Sequence, residues 1–159
     1  MKIEQKPKKK GKESMKKSVT MQPYVHFNGR CEEAIKYYQT ALGAEVLMQM
    51  RFKEAPQAPP PGRLPPGFEN KIMHAHIHFA DADLLMTDGP DGDPGKTDFH
   101  GISLCLTAES ESEAKQLFNN LAKDGKVEMP FGNTFFSPGF GMVIDPFGIR
   151  WMVYTKPAE

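Results

Sequence analysis

The sequence predicts an α+β fold of two β-α-β-β-β modules whose curved sheets form a barrel-like cavity. Three observations predict it. A strand followed by an amphipathic helix occurs twice, and the two helices stay in step at a spacing of 80 residues: Glu33-Ala34 repeats as Glu113-Ala114, and Tyr37-Tyr38 as Leu117-Phe118. Each helix is followed by three short runs of strand character. Each half also exposes an apolar sheet face that needs its twin to bury it.

The first strand lies within Met21-Gln22-Pro23-Tyr24-Val25-His26-Phe27 and stops at Asn28-Gly29. A helix follows from Cys31 to Leu42, with Ala34, Tyr37, Tyr38 and Ala41 at helical spacing and Gly43 as its stop. A strand from Glu45 to Phe52 leads into a proline-rich stretch, 54–70, which has too few backbone donors for a sheet interior and reads as a loop or flap over the cavity. Strands at Lys71–Ala80 and Asp83–Thr87 complete the first module, about 20–90. The second, about 100–156, opens with a strand at Gly101–Thr107. Ser110-Glu111-Ser112-Glu113 then forms a capping box before a helix with Ala114, Leu117, Phe118 and Leu121 on its apolar face, ended by Gly125. Strands are expected at Val127–Phe136, Gly141–Ile144 and Ile149–Tyr154.

Composition narrows the function classes. A chain of 159 residues, 39% hydrophobic, fits one domain over 20–156. No apolar run approaches the roughly 20 residues that span a bilayer, and no apolar stretch follows the N-terminal lysines as a signal peptide requires. Two cysteines are too few for a disulfide framework or a cysteine-ligated zinc site, so a cytoplasmic product with no membrane contact is expected. Cys31 has no catalytic histidine placed beside it and Cys105 sits in an apolar run, so neither is read as a nucleophile. The net charge of zero hides an asymmetry: residues 1–18 carry eight lysines against Glu4 and Glu13, and the remainder is correspondingly acidic. A disordered, solubilising leader over 1–19 is favoured over a nucleic-acid-binding arm, because that arm has no aromatic residues.

The ordered set Tyr24-Val25-His26-Phe27-Asn28-Gly29, Glu33-Ala34-Ile35-Lys36-Tyr37-Tyr38 and Leu42-Gly43-Ala44 resembles the first module of the vicinal oxygen chelate superfamily, which includes glyoxalase I, bleomycin-resistance proteins and extradiol dioxygenases. Gly139-Phe140-Gly141, Asp145-Pro146-Phe147-Gly148 and Trp151, with His74-Ala75-His76 and Leu85-Met86-Thr87-Asp88, resemble its PhnB-like branch. The resemblance covers about Thr20 to Tyr154. It implies a homodimer with jointly completed cavities and, in metal-using members, ligands on the first and last strands of the modules. Those positions fall here on Pro23, Gly101 and Met152, which are not ligands for the divalent metals such enzymes use, so no cofactor is expected. Some relatives bear the name demethylubiquinone methyltransferase, but no glycine-rich nucleotide-binding loop follows a strand here.

The candidate ligand-binding residues are His74, His76 and His78, which alternate onto one strand face; Phe135 and Phe136, in an aromatic cluster with Phe131 and Phe140; and Arg150, Met152 and Tyr154, which share a face of the last strand. The expected ligand is small, and anionic or aromatic: an inward arginine suits a carboxylate or phosphonate, and phenylalanines suit a planar ring. The alternative is a metal-dependent lyase, isomerase or dioxygenase with a divalent ion relocated to His74 and His76, with Asp88 or His100 (or Asp98) as a further ligand. The glycine- and carboxylate-rich stretch from Asp88 to Gly95 lacks the spacing of a calcium loop and reads as a connection.

Overall fold

A computed structural model describes residues 19–89 and 93–157. The lysine-rich leader expected over 1–19 lies outside the described residues except for Val19. Strand β1 (Tyr24–His26), helix α1 (Cys31–Leu42), β2 (Glu45–Arg51), β3 (Ile72–Phe79) and β4 (Ala82–Thr87) form the first module; β5 (Ser103–Ala108), α2 (Glu111–Ala122), β6 (Lys126–Gly132), β7 (Phe140–Ile144) and β8 (Arg150–Thr155) form the second. Each module builds a four-stranded sheet, in the order β1-β4-β3-β2 and β5-β8-β7-β6. In both, the first strand pairs parallel with the last and the other pairs are antiparallel. The repeat read at a spacing of 80 residues is thus a repeat of topology.

Local chemistry sets the boundaries. Gly43 ends α1 at φ 69°, a left-handed conformation that costs glycine little, and its N–H donates to Gln39 while that of Ala44 donates to Tyr38. Ser110 caps α2 by accepting a hydrogen bond from the Glu113 N–H at 3.2 Å. Between β2 and β3 the proline-rich segment is pinned at one end by buried Phe68 and turns back on itself where the Arg63 N–H meets the Pro60 carbonyl. The strand expected at Val127–Phe136 stops short. β6 ends at Gly132, and Phe135 and Phe136 stand on the turn that follows, because the hydroxyls of Thr134 and Ser137 hold residues 134–139 in a non-strand path.

Ala34, Ile35 and Tyr38 of α1, Ala114, Phe118 and Leu121 of α2, and the inward residues of both sheets form one hydrophobic cluster. The modules meet through α1. The Tyr37 hydroxyl donates to the Leu121 carbonyl at 2.9 Å, and Asn120 Nδ2 to the Ala41 carbonyl at 3.0 Å. Phe27 and Tyr37 pack edge-on against Phe147, and Arg30 lies 4.6 Å above the same ring.

At the centre of this junction is Asp145, in the tight turn between β7 and β8. Its carboxylate accepts from the Tyr38 hydroxyl at 2.7 Å, Trp151 Nε1 at 2.8 Å and the N–H groups of Phe147 and Ile149 at 2.9 and 3.0 Å. Gly148 closes the turn at φ 95°. Burial and the neighbouring Asp145 charge push the Tyr38 phenol well above the usual tyrosine range, so it stays a donor. Changing Asp145→Ala leaves four donors without their acceptor, each costing about 1–3 kcal/mol if unsatisfied, so chemical denaturation is expected to show a loss of more than about 3 kcal/mol. Tyr38→Phe removes one bond and is expected to cost about 1–3 kcal/mol. Equal, small losses from both would show that the turn, not the network, joins the modules.

Candidate functional site

Each sheet has one face against its helix and the core, and one open face. On β3 the alternation is clean: Ala75 and Ile77 are buried, whereas His74, His76 and His78 are partly exposed on the opposite side. The three histidines share a face, as their spacing requires. On β8, Trp151, Val153 and Thr155 are buried, and Arg150, Met152 and Tyr154 lie on the open side of the other sheet.

The histidine face has partners that the sequence did not point out. Because β1 lies parallel to β4, Tyr24 stands opposite Leu85 and His26 opposite Thr87, two strands from His74 and His76. The Tyr24 hydroxyl lies 2.9 Å from His74 Nδ1, and the Tyr24 ring stacks on His74 and tilts against His26. Asp83, the first residue of the strand expected at Asp83–Thr87, lies within β4 opposite His78. Its carboxylate lies 2.6 Å from His78 Nδ1 and accepts from Gln22 Nε2 at 2.9 Å. His76 Nε2 comes within 3.1 Å of the same carboxylate without hydrogen-bond alignment. The Asp83 hydrogen bond raises the pKa of His78 above the usual histidine range, and the His78 hydrogen bond lowers that of Asp83 below the usual carboxylate range. The signal for Tyr24 and His26 was available as parity on β1, but it is informative only once the β1–β4 pairing is known.

The candidate ligands of a relocated metal lie apart in the structure. Asp88 does not turn towards the histidines: it is buried, and its oxygens accept from the N–H groups of Gly29 at 2.7 Å, Cys31 at 2.8 Å and Ile72 at 2.9 Å. It is the residue that satisfies the start of α1, a position where a carboxylate also meets the helix dipole. His100 is on the exposed connection between modules, paired with Asp98 at 2.9 Å. Among the described residues, no three His, Cys, Asp or Glu side chains converge as a metal site. The positions at which the resemblance places ligands do not fit a divalent ion either. Pro23 offers only a carbonyl, which already accepts from Leu85; Gly101 sits in a turn at φ 73°; Met152 offers a thioether.

On the second sheet, Arg150 is engaged by Glu128 of β6, through Nε at 2.5 Å and a second guanidinium nitrogen at 3.0 Å. That bidentate pairing satisfies the fork which a free ligand carboxylate needs. Phe136 packs edge-on against Phe135 and Phe140, with ring centroids 5.1 Å apart in both pairs. Phe140 is buried, and Phe135 is fully exposed. Among the described residues, no hydrogen bond, ion pair or ring contact joins the histidine face to the Arg150 face. Cys31 is buried, and burial followed by the nearby Asp88 charge pushes its thiol well above the usual range, which makes it a poor nucleophile.

A hollow of about 490 Å³ opens where the edge of β1 approaches that of β5. Tyr24, Val25 and His26 form one wall, Ile102, Leu104 and Ile149 the apolar side, and Asn28 with Asp93, Lys96, Asp98 and Phe99 of the connection the remainder. Asn28 holds that connection in place, donating to the Lys96 carbonyl at 2.8 Å and accepting from the Gly95 N–H at 2.6 Å. A smaller, mainly apolar hollow of about 190 Å³ is lined by Leu84, Cys105 and Leu106 among others. The segment 88–95 read as a connection includes residues 90–92, which lie outside the described set.

Comparison with known proteins agrees with this architecture. Residues 20–153 match the Glyoxalase/Bleomycin resistance protein/Dioxygenase superfamily. The chain is 38% identical over 138 residues to Protein YjdN of Escherichia coli K12, covering 84% of this chain and 92% of that one. Among solved structures, protein PA1353 of Pseudomonas aeruginosa is similar at TM-score 0.72 and 35% identity, over 87% of this chain and 98% of that one. A Bacillus cereus PhnB protein, described as a putative 3-demethylubiquinone-9 3-methyltransferase, is similar at TM-score 0.68 and 26% identity, over 86% and 99%. Two mixed four-stranded sheets, each backed by one helix and repeated in tandem, belong with these matches: the chain is a member of the glyoxalase/bleomycin resistance/dioxygenase superfamily, in its PhnB-like branch.

Proposed function

We propose that the chain is a cytoplasmic small-molecule binding protein, and not an enzyme working through the superfamily's usual metal. Its ligand is a small aromatic or anionic molecule. The observation that carries this reading is the hollow between β1 and β5, whose wall of Tyr24 and His26 continues through the Tyr24–His74 contact onto the histidine face. Its volume, about 490 Å³, is in the range of small-ligand sites. Tyr24 and Phe99 offer ring faces, and Ile102, Leu104 and Ile149 an apolar floor. His26 supplies a ring nitrogen for a polar substituent, and Lys96, paired with Asp93 at 2.8 Å, a cation that an anionic substituent can share. His74 borders the site directly, with His76 and His78 further along the same face. Arg150, Met152 and Tyr154 lie on the open face of the other sheet, with Phe135 and Phe136 on the turn after β6; they serve the ligand when a second chain is present, Arg150 while paired with Glu128. Free Cys31 and Cys105 suit a reducing compartment.

We further propose that two copies associate through the open faces. Met48 and Met129 are exposed on those faces, opposite His76 and Met142, and Leu47, Phe135 and Phe136 are exposed beside them, apolar side chains that a second copy would cover. A methyltransferase reading gains no support from the residues that line this hollow.

The aromatic anion 1-anilinonaphthalene-8-sulfonate is a suitable probe. It is expected to bind the folded chain in a saturable manner, and Tyr24→Ala with His26→Ala is expected to weaken binding by about tenfold, equivalent to about 1.4 kcal/mol. Phe135→Ala in dilute, monomeric protein is expected to leave it unchanged; the reverse pattern refutes the location. For association, light scattering during size exclusion is expected to give twice the 17.8 kDa chain mass. Phe135→Asp with Met129→Asp is expected to return the single-chain value, and a monomeric native chain excludes a dimer.

A further inference from the structure

Strand register places four sulfur-bearing side chains in one line across the second sheet. Cys105 of β5 stands opposite Met152 of β8, Met152 opposite Met142 of β7, and Met142 opposite Met129 of β6. Residues directly opposite on neighbouring strands project to the same face, with Cβ atoms about 4.5–5.5 Å apart. This is the open face, because the alternate positions Trp151, Val143 and Val153 are buried in the core. Cys105 and Met129 are exposed, and Met142 and Met152 are partly so. Core packing therefore does not account for the row.

We propose that this row is a binding site for a soft monovalent metal ion of the copper(I) or silver(I) class, held by Cys105, Met152 and Met142. Thioether and thiolate sulfur select such ions and are poor ligands for magnesium, calcium or manganese. With the ion above Met152, the strands bearing Cys105 and Met142 lie on either side at the sheet spacing of about 4.7–4.9 Å, within the sweep of flexible side chains. Met129 lies one strand further out and serves as a reserve ligand. Binding exchanges one ion for one proton: the Cys105 S–H bond breaks, a sulfur–metal bond forms, the proton passes to solvent, and no electron is transferred. A free thiol is mainly protonated at neutral pH and must lose its proton to ligate, so proton release accompanies binding. The site shares Met152 with the second-sheet part of the small-molecule reading but uses neither the β1–β5 hollow nor the histidine face, so binding in the hollow and ion retention are lost separately.

The test is competition for copper(I) against bicinchoninate under anaerobic conditions, with the full chain. The native chain is expected to withdraw one equivalent from the chelator. Met142→Leu with Met152→Leu conserves volume and apolarity while deleting both thioethers. It is expected to weaken retention by at least about tenfold, the lower end of what loss of even an outer-sphere partner costs a metal site. Cys105→Ser is expected to do the same and to abolish proton release, and His74→Ala with His76→Ala is expected to change neither. A native chain that leaves copper with the chelator overturns the proposal. So does a double leucine variant that competes as well as the native chain, since the ion is then held by a thiol alone or elsewhere.

Discussion

The Asp145 carboxylate is the constraint on which the rest of the structure depends. It draws donors from three places at once: its own turn, β8 through Trp151, and α1 of the other module through Tyr38. A buried carboxylate is tolerable only with such complete pairing. Because Tyr38 is on the face of α1 that packs between the modules, satisfying Asp145 also fixes how the two repeats sit against each other. Phe27, Phe147 and Trp151 then fill the space around it. Asp88 plays the parallel local role in the first module, tying the end of β4 to the start of α1 and to β3. Asp88, the acid that the sequence offers as a metal ligand, is thus spent on architecture, as Asp145 is.

That division explains which parts of the molecule were legible in the sequence. Helix α1 has the bounds that Gly43 and the Ala34-Tyr37-Tyr38-Ala41 spacing require, and the capping box at Ser110 marks α2. The face assignment of His74, His76 and His78 follows from a period of two, and so does that of Arg150, Met152 and Tyr154. What could not be read was anything set by long-range pairing. Asp88 looked like a ligand because nothing local says that three distant N–H groups will claim it. Tyr24 and His26 joined the histidine face only through the parallel β1–β4 pairing. The engagement of Arg150 by Glu128 depends on β6 and β8 lying on either side of β7. Phe135 and Phe136 left the strand because Ser137 and Thr134 redirect the backbone, a side-chain effect that the apolar pattern conceals.

The chain belongs to the glyoxalase/bleomycin resistance/dioxygenase superfamily, and where the resemblance places metal ligands it carries Pro23, Gly101 and Met152. Those residues do not empty the open faces of chemistry. One carries imidazoles, a phenol and a carboxylate in contact with one another. The other carries an arginine–glutamate pair, a row of sulfur and an aromatic cluster. Both are too apolar to be simple solvent-facing surfaces, and both are too polar to be unfinished core. A ligand surface reconciles these properties, with adaptable Met and ring side chains beside a few placed donors.

The most direct measurement of this account is the nitrogen-correlated nuclear magnetic resonance spectrum of the five histidine rings during titration with 1-anilinonaphthalene-8-sulfonate. His26 and His74 line or border the proposed site, His76 and His78 extend the same face, and His100 is an internal control on the exposed connection. The account predicts saturable shifts at His26 and His74, smaller ones at His76 and His78, and none at His100. Shifts confined to His100, or saturable binding that leaves all five rings unmoved, would contradict it.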